Sequence, residues 1–78
     1  NTGAIVEHDC VVEDFVNICP GVSMAGHTRI GRKSFIGIGS TVIDDIRVGK
    51  EVVIGAGAAV IRDIPDYAVA VGVPAKVR

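Results

Sequence analysis

One short stretch of the sequence, Glu7-His8-Asp9-Cys10, carries the side chains best suited to acid–base chemistry. Histidine exchanges a proton near neutral pH, so His8 can serve as a base, and a carboxylate beside it can fix the ring tautomer and stabilise the imidazolium. Adjacent residues on a smooth strand point to opposite faces, so His8 and Asp9 can act together only where the chain bends. The pair therefore predicts a general base at a turn.

A six-residue repeat predicts where those turns fall. Starting at Val6, every sixth residue is aliphatic through to Val60 without an insertion. A helix cannot use a period of six, and a plain strand alternates with a period of two. The repeat therefore indicates a short strand and a bend in each hexad. The ten aliphatic positions are Val6, Val12, Ile18, Met24, Ile30, Ile36, Val42, Val48, Ile54 and Val60.

This repeat resembles the hexapeptide repeat of the left-handed parallel β-helix, a solenoid in which three hexads form one triangular coil. The resemblance implies an all-β fold, with a β-helix of about three and a third coils over residues 1–63 and an extended C-terminal arm over 64–78. Stacked coils about 4.8 Å apart would set His8 beneath Gly26, next to a backbone amide that no side chain obstructs. A base beside an open amide is the minimum equipment for acyl transfer.

Composition excludes several other classes of protein. The chain has 49% hydrophobic residues, ten Gly, and no Leu or Trp, which favours strands over a helix bundle. Lys and Arg number 8 against 9 Asp and Glu, so no basic stripe for nucleic acid is present. No apolar run approaches the roughly 20 residues of a membrane span. Cys10 and Cys19 form no CxxC pair, which favours reduced thiols and predicts a cytoplasmic protein.

A narrower resemblance rests on motifs spread over essentially the whole chain. Glu7 to Cys10, Asp14-Phe15 and Pro20-Gly21 are similar to motifs of the sugar O- and N-acyltransferases of the sialic-acid O-acetyltransferase and bacillosamine-type N-acetyltransferase group. The ending Gly72-Val73-Pro74-Ala75-Lys76 is shared more widely among hexapeptide acyltransferases. The resemblance implies transfer of an acetyl group from acetyl-CoA to an amine or hydroxyl of a sugar or nucleotide sugar.

The same resemblance implies roles for individual residues. His8 would be the general base, Asp9 its orienting carboxylate, and the amide of Gly26 the oxyanion donor. Acetyl-CoA would lie between neighbouring prisms of a homotrimer, with no metal required. The expected contacts to it are Asn17, Gly26, Ile38, Ala56 and Lys76, and Asn1 is expected at the acceptor site.

Other expectations concern the surface. Phe15, Phe35, Val11 and Val53 are expected to form the lateral contact between prisms, and His27 is expected to be an ordinary surface residue. Asn17 stands where many relatives carry His, and Glu13 stands where the repeat usually has Gly.

Two alternatives to an acetyltransferase remain. The first is a non-catalytic trimeric scaffold, or an isolated CoA-binding fragment without its acceptor-binding domain. It arises because relatives carry a nucleotide-sugar-binding domain ahead of the solenoid, which these 78 residues are expected to lack. The second is a γ-class carbonic anhydrase, which shares the solenoid but needs three His ligands where this chain has 2 His.

Overall fold

The computed structural model describes residues 3–78 as short β-strands joined by turns, with no helix in that range. The all-β prediction is confirmed. Because this part of the chain has no helix, it also has none long and apolar enough to span a membrane. The strands are β1 (Ile5–Val6), β2 (Val11–Val12), β3 (Asn17–Ile18), β4 (Ser23–Met24), β5 (Arg29–Ile30), β6 (Phe35–Ile36), β7 (Thr41–Val42), β8 (Arg47–Val48), β9 (Val53–Ile54), β10 (Ala59–Val60), β11 (Val69–Val71) and β12 (Lys76–Val77).

The strands form the three faces of a triangular prism. Face A has the order β1-β4-β7-β10, face B has β2-β5-β8, and face C has β3-β6-β9-β11 with β12 at its end. From β1 to β10, successive strands of a face are parallel and three hexads apart in the sequence, so that Val6 pairs with Met24, for example, and Val12 with Ile30. This is the predicted stacking, and the fold is a left-handed β-helix of about four turns.

The turns between faces form three edges that run along the prism. Edge 1 joins faces A and B, edge 2 joins B and C, and edge 3 joins C and A. Every one of these turns except 61–63 has a residue with positive φ, which at edge 3 is always glycine: Gly21, Gly39 and Gly57. At edges 1 and 2 the same position holds side chains such as Asp9 and Lys33. The edges comprise 7–9, 25–27, 43–45 and 61–63 (edge 1), 13–15, 31–33, 49–51 and 65–67 (edge 2), and 19–21, 37–39 and 55–57 (edge 3).

The step-by-six residues fill the prism and are fully buried from Met24 to Val60. In the first coil the same column is open at the N-terminal end, where Val6 is 46% exposed and Val12 is 40% exposed. Polar side chains inside the prism are satisfied by backbone. The Ser34 hydroxyl, for example, donates to the Gly49 carbonyl at 2.8 Å and accepts from the Val52 amide at 3.1 Å.

The six-residue repeat ends because the circuit from Val48 to Ile64 is two residues shorter than three hexads. Ile64 bridges to Val48, and Ala70 pairs with Ile54, whereas a full circuit of three hexads would bring Asp66 and Gly72 to those places. The carboxylate of Asp63 accepts a hydrogen bond from the Arg47 amide across this shortened turn. Residues 64–71 thus still stack on the solenoid, and β12 folds back antiparallel to β11. The division of the chain into two parts at residue 63 stays a prediction.

Candidate active site

His8 and Gly26 lie one above the other on edge 1, in successive coils. The backbone carbonyl of His8 accepts a hydrogen bond from the His27 amide at 3.3 Å. A Cβ atom added to Gly26 would approach that carbonyl oxygen to 3.3 Å. A side chain at position 26 would therefore crowd the His8 main chain, which gives a local reason for glycine here. The His8 side chain is exposed to solvent.

The Gly26 amide is available as a hydrogen-bond donor. The flanking amides of Ala25 and His27 donate to the carbonyls of Val42 and His8, but no acceptor within residues 3–78 takes the amide hydrogen of Gly26. This follows from the turn geometry, because Gly26 is the first of the two central residues of its turn and lies outside the ladder. Pro20, which has no amide hydrogen at all, occupies the same position on edge 3.

The Asp9 carboxylate contacts a different histidine from the one predicted. Its Oδ2 atom lies 3.4 Å from Nε2 of His27, and in the described part of the chain it makes no ion pair with His8. The reason is the coil period: the second turn residue of one coil lies beneath the second turn residue of the next, so Asp9 lies under His27. The coil spacing of three hexads therefore implies this contact in the same way that it implies the stacking of His8 under Gly26.

Apart from Gly26, the residues predicted to contact the acyl donor lie away from edge 1. Ile38 and Ala56 occupy edge 3, at the same turn position in successive coils, and both are exposed. Neither amide has a hydrogen-bond acceptor within residues 3–78. Beside them, Cβ atoms added to Gly39 or Gly57 would meet nothing within 4 Å. Edge 3 is therefore a smooth, uncharged ridge with backbone donors on its surface.

The remaining predicted site residues are dispersed. Asn17 begins β3 and is exposed on face C, where it pairs with Phe35. Lys76 lies in β12 and lines a hollow of about 460 Å³ together with Arg62 and Ile64. Asn1 lies outside the described residues. Within residues 3–78 no three His, Cys, Asp or Glu side chains are grouped closely enough to hold a metal ion.

A single chain thus brings together only one part of the predicted site. His8, Asp9 and Gly26 share edge 1, whereas Ile38 and Ala56 share edge 3, and the whole of face A separates the two edges. The outward residues of face A carry no charge: Ile5, Ser23, Thr41 and Ala59.

Comparison with known proteins agrees with the fold and the repeat. Residues 27–62 match the family model for the bacterial transferase hexapeptide, six repeats. The chain is a hexapeptide-repeat β-helix, and the predicted resemblance to the hexapeptide-repeat acyltransferases is confirmed.

Individual relatives include both sugar and serine acetyltransferases. The chain is 46% identical to the acetyltransferase domain of PglB from Neisseria gonorrhoeae in complex with acetyl coenzyme A, with a TM-score of 0.98 over 100% of this chain and 38% of that chain. It is 40% identical to a mutant of perosamine N-acetyltransferase from Caulobacter crescentus in complex with CoA and GDP-perosamine, with a TM-score of 0.98 over 100% of this chain and 37% of that one. A probable serine acetyltransferase 2 from Oryza sativa is 40% identical over 97% of this chain. The chain spans only 24% of that relative's length.

Proposed function

We propose that this chain forms the catalytic solenoid of an acetyltransferase that moves an acetyl group from acetyl-CoA to an amine or hydroxyl of a sugar or nucleotide sugar. The observation that carries the proposal is the stacking of His8 under Gly26, whose amide has no acceptor within residues 3–78. The relatives support the donor, since the PglB domain was solved with acetyl coenzyme A and the perosamine enzyme with CoA. The perosamine enzyme also supports a sugar acceptor.

The proposed chemistry is direct transfer. His8 accepts a proton from the acceptor amine or hydroxyl as that nitrogen or oxygen attacks the thioester carbonyl carbon. The carbonyl oxygen becomes negatively charged, and the Gly26 amide donates a hydrogen bond to it. When the carbon–sulfur bond breaks, the protonated His8 returns the proton to the departing sulfur. The products are the acetylated acceptor and free CoA, and Asp9 is the carboxylate that orients His8.

We further propose that the complete site lies between copies of the chain in a homotrimer. If three prisms turn their uncharged face A toward a common axis, edge 1 of one chain comes next to edge 3 of its neighbour. The base and oxyanion donor then come from one copy, while Ile38 and Ala56 of the next copy contact the pantetheine arm through their open amides. Val11 on face B and Phe35 on face C would form the two walls of the groove between copies.

The remaining contacts in the proposal are polar. Asn17 on face C borders the same groove, and Lys76 on β12 offers a mobile cation for a phosphate of CoA. The narrow, uncharged ridge of edge 3 suits an extended and largely apolar pantetheine. Asn1 is proposed at the acceptor site.

Replacement of the base tests this function. Wild-type protein and His8→Ala are assayed for release of free CoA from acetyl-CoA with a panel of amino sugars and nucleotide sugars, and acetyl-CoA binding is followed by calorimetry. We expect turnover to fall by about a hundredfold or more in His8→Ala, because general-base catalysis contributes at least that much, while binding is retained. Unchanged turnover would exclude His8 as the base. Acetyl-CoA binding without turnover in wild type would favour the isolated CoA-binding fragment, and absence of binding would favour the scaffold.

A further inference from the structure

Face B differs from the other two faces of the prism in its charge. Its outward strand residues are Val11, Arg29 and Arg47. The outward residues of the strands on face A, and of β3, β6, β9 and β11 on face C, are all uncharged, and the charged Lys76 lies on β12 at the end of face C. On face C they are Asn17, Phe35, Val53, Val69 and Val71, and on face A they are Ile5, Ser23, Thr41 and Ala59.

The two arginines of face B are direct neighbours. Arg29 and Arg47 are register partners in the parallel ladder between β5 and β8. Strands in such a ladder lie about 4.8 Å apart, so the two side chains leave the sheet side by side. Like charges placed directly opposite each other destabilise a sheet. An anion close to both guanidinium groups would offset this repulsion.

The described chain supplies that anion for only one of them. Nη2 of Arg29 lies 3.0 Å from Oε2 of Glu13, whose other oxygen accepts from the Arg32 amide. No carboxylate within residues 3–78 forms an ion pair with Arg47. Two carboxylates that border the same hollows as Arg47, Asp63 and Asp66, accept instead from the backbone amides of Arg47 and Lys50.

The two arginines also border open space of suitable size. They line a hollow of about 450 Å³ on the side of edge 2 and another of about 400 Å³ on the side of edge 1. The hollow toward edge 2 has three cations, Arg29, Arg47 and Lys50, against the carboxylates of Glu13 and Asp66. The hollow toward edge 1 has three carboxylates and is less suited to an anion.

We propose that Arg29 and Arg47, with Lys50 beside them, bind a phosphate or diphosphate group on face B. The planar guanidinium fork matches phosphate oxygens and forms charge-assisted hydrogen bonds that are stronger than neutral ones. Two forks on adjacent strands can hold the two ends of one diphosphate. This inference does not depend on the acetyl transfer proposed for edge 1 and stands whether or not His8 is a base.

Titration of the purified protein with inorganic pyrophosphate at low salt, followed by calorimetry, tests the site. We expect Arg47→Gln to weaken pyrophosphate binding by about tenfold or more, since it removes charge-assisted hydrogen bonds. Lys33→Gln is the matched control, because Lys33 is exposed on edge 2 and lines neither hollow. It removes the same charge and should change binding by less than about twofold. Thermal unfolding of both variants verifies that they are folded.

Three results would overturn the site: wild-type protein that does not bind pyrophosphate, an equal loss of binding in Lys33→Gln, or dissociation of an oligomer in Arg47→Gln. The second result would indicate diffuse electrostatic attraction, and the third a carboxylate of another copy as the partner of Arg47. A second titration in saturating CoA separates the sources of the phosphate. Displacement of pyrophosphate by CoA would identify the phosphates of the donor as the ligand, and retention would identify a phosphate-bearing acceptor or free phosphate. Either result upholds the site.

Discussion

Asp9 and His27 lie in successive coils of edge 1, with 3.4 Å between Oδ2 of the aspartate and Nε2 of the histidine. The contact is open to solvent, since the two side chains are 71% and 68% exposed. An ion pair this exposed contributes less than about 1 kcal/mol to stability. The Asp9 carboxylate can therefore leave His27 at little cost, as its proposed role in orienting His8 requires.

Because the contact between Asp9 and His27 is weak, replacing Asp9 and replacing His27 should have different effects on kcat. Asp9→Asn should lower kcat by about tenfold or more, because His8 loses the carboxylate that orients it. His27→Asn should keep kcat within about twofold, since the contact it removes is weak and exposed. Steady-state kinetics on both variants checks the difference. An equal loss in His27→Asn would instead make the Asp9–His27 pair, as seen in the single chain, the active arrangement.

A variant that lacks the backbone amide hydrogen of residue 26 tests the proposed oxyanion donor. Pro20 occupies on edge 3 the turn position that Gly26 occupies on edge 1, so Gly26→Pro is compatible with the turn. We expect kcat to fall by about a hundredfold or more, the usual effect of losing one oxyanion donor. Gly26→Ala, which keeps the amide and adds a similar Cβ contact with His8, separates steric from electrostatic loss. Equal kcat values in Gly26→Pro and Gly26→Ala would rule the amide out as the donor.

A side chain can be added to edge 3 without steric contact, although it must adopt the positive φ of the glycine that it replaces. Glu51 has a φ of 53° and Gly39 a φ of 69°, so Gly39→Glu places a side chain that this kind of turn already accepts. It would project into open space, because a Cβ there meets nothing within 4 Å. We expect acetyl-CoA affinity to fall by about tenfold or more, through contact with the pantetheine and repulsion of the phosphates.

Phe15→Glu is the control for this change, since Phe15 also has positive φ and is 82% exposed. It lies on edge 2, which the proposed trimer turns away from the neighbouring copies, unlike the lateral contact expected for Phe15 from the sequence. The acetyl-CoA affinity of this variant, measured by calorimetry, should match that of the wild type. If both variants bind acetyl-CoA as tightly as the wild type, the donor does not lie along edge 3.

Buried serines predict a graded loss of stability. Ser34 makes two hydrogen bonds inside the prism, with the Gly49 carbonyl and the Val52 amide, whereas the hydroxyl of Ser40 makes one, with the Gly55 carbonyl. Ser34→Ala leaves two buried backbone groups without a partner and should cost about 2 kcal/mol or more, against about 1 kcal/mol for Ser40→Ala. Urea denaturation of the two variants measures the difference. Equal costs would mean that water or a small backbone shift satisfies the Val52 amide.

The fold could be predicted because the unbroken six-residue repeat determines which strands of successive coils pair. The step-by-six column from Val6 to Val60 faces inward, and each strand of face A pairs with the strand three hexads later, as the repeat requires. The loss of two residues between Val48 and Ile64 could be seen as a break in the hexads, but not as a continued stack. There the carboxylate of Asp63 accepts from the Arg47 amide in place of the backbone acceptor that a regular coil would provide, and the carboxylate of Asp66 accepts from the Lys50 amide.

The candidate site was less predictable, because side-chain direction at a turn is not set by the period. Stacking of His8 under Gly26 followed from the three-hexad coil, whereas the choice of Asp9 between two histidines depends on rotamers that the repeat does not specify. The separation of Ile38 and Ala56 from His8 by a whole face follows from the triangular cross-section. The proposed groove between copies, expected from the sequence, rests on this separation.

The most direct test of a site shared between copies is a mixture of two defective chains. His8→Ala lacks the base of edge 1 but keeps edge 3, and Gly39→Glu keeps the base but obstructs edge 3. Assayed at acetyl-CoA concentrations below the wild-type Kd, they should keep no more than about a hundredth and about a tenth of the wild-type rate, respectively. After the two are unfolded, mixed in equal amounts and refolded, random trimers contain about a quarter of their grooves with both intact edges. We predict recovery of about a quarter of the wild-type rate of CoA release. A mixture that remains as inactive as its components would contradict the shared groove.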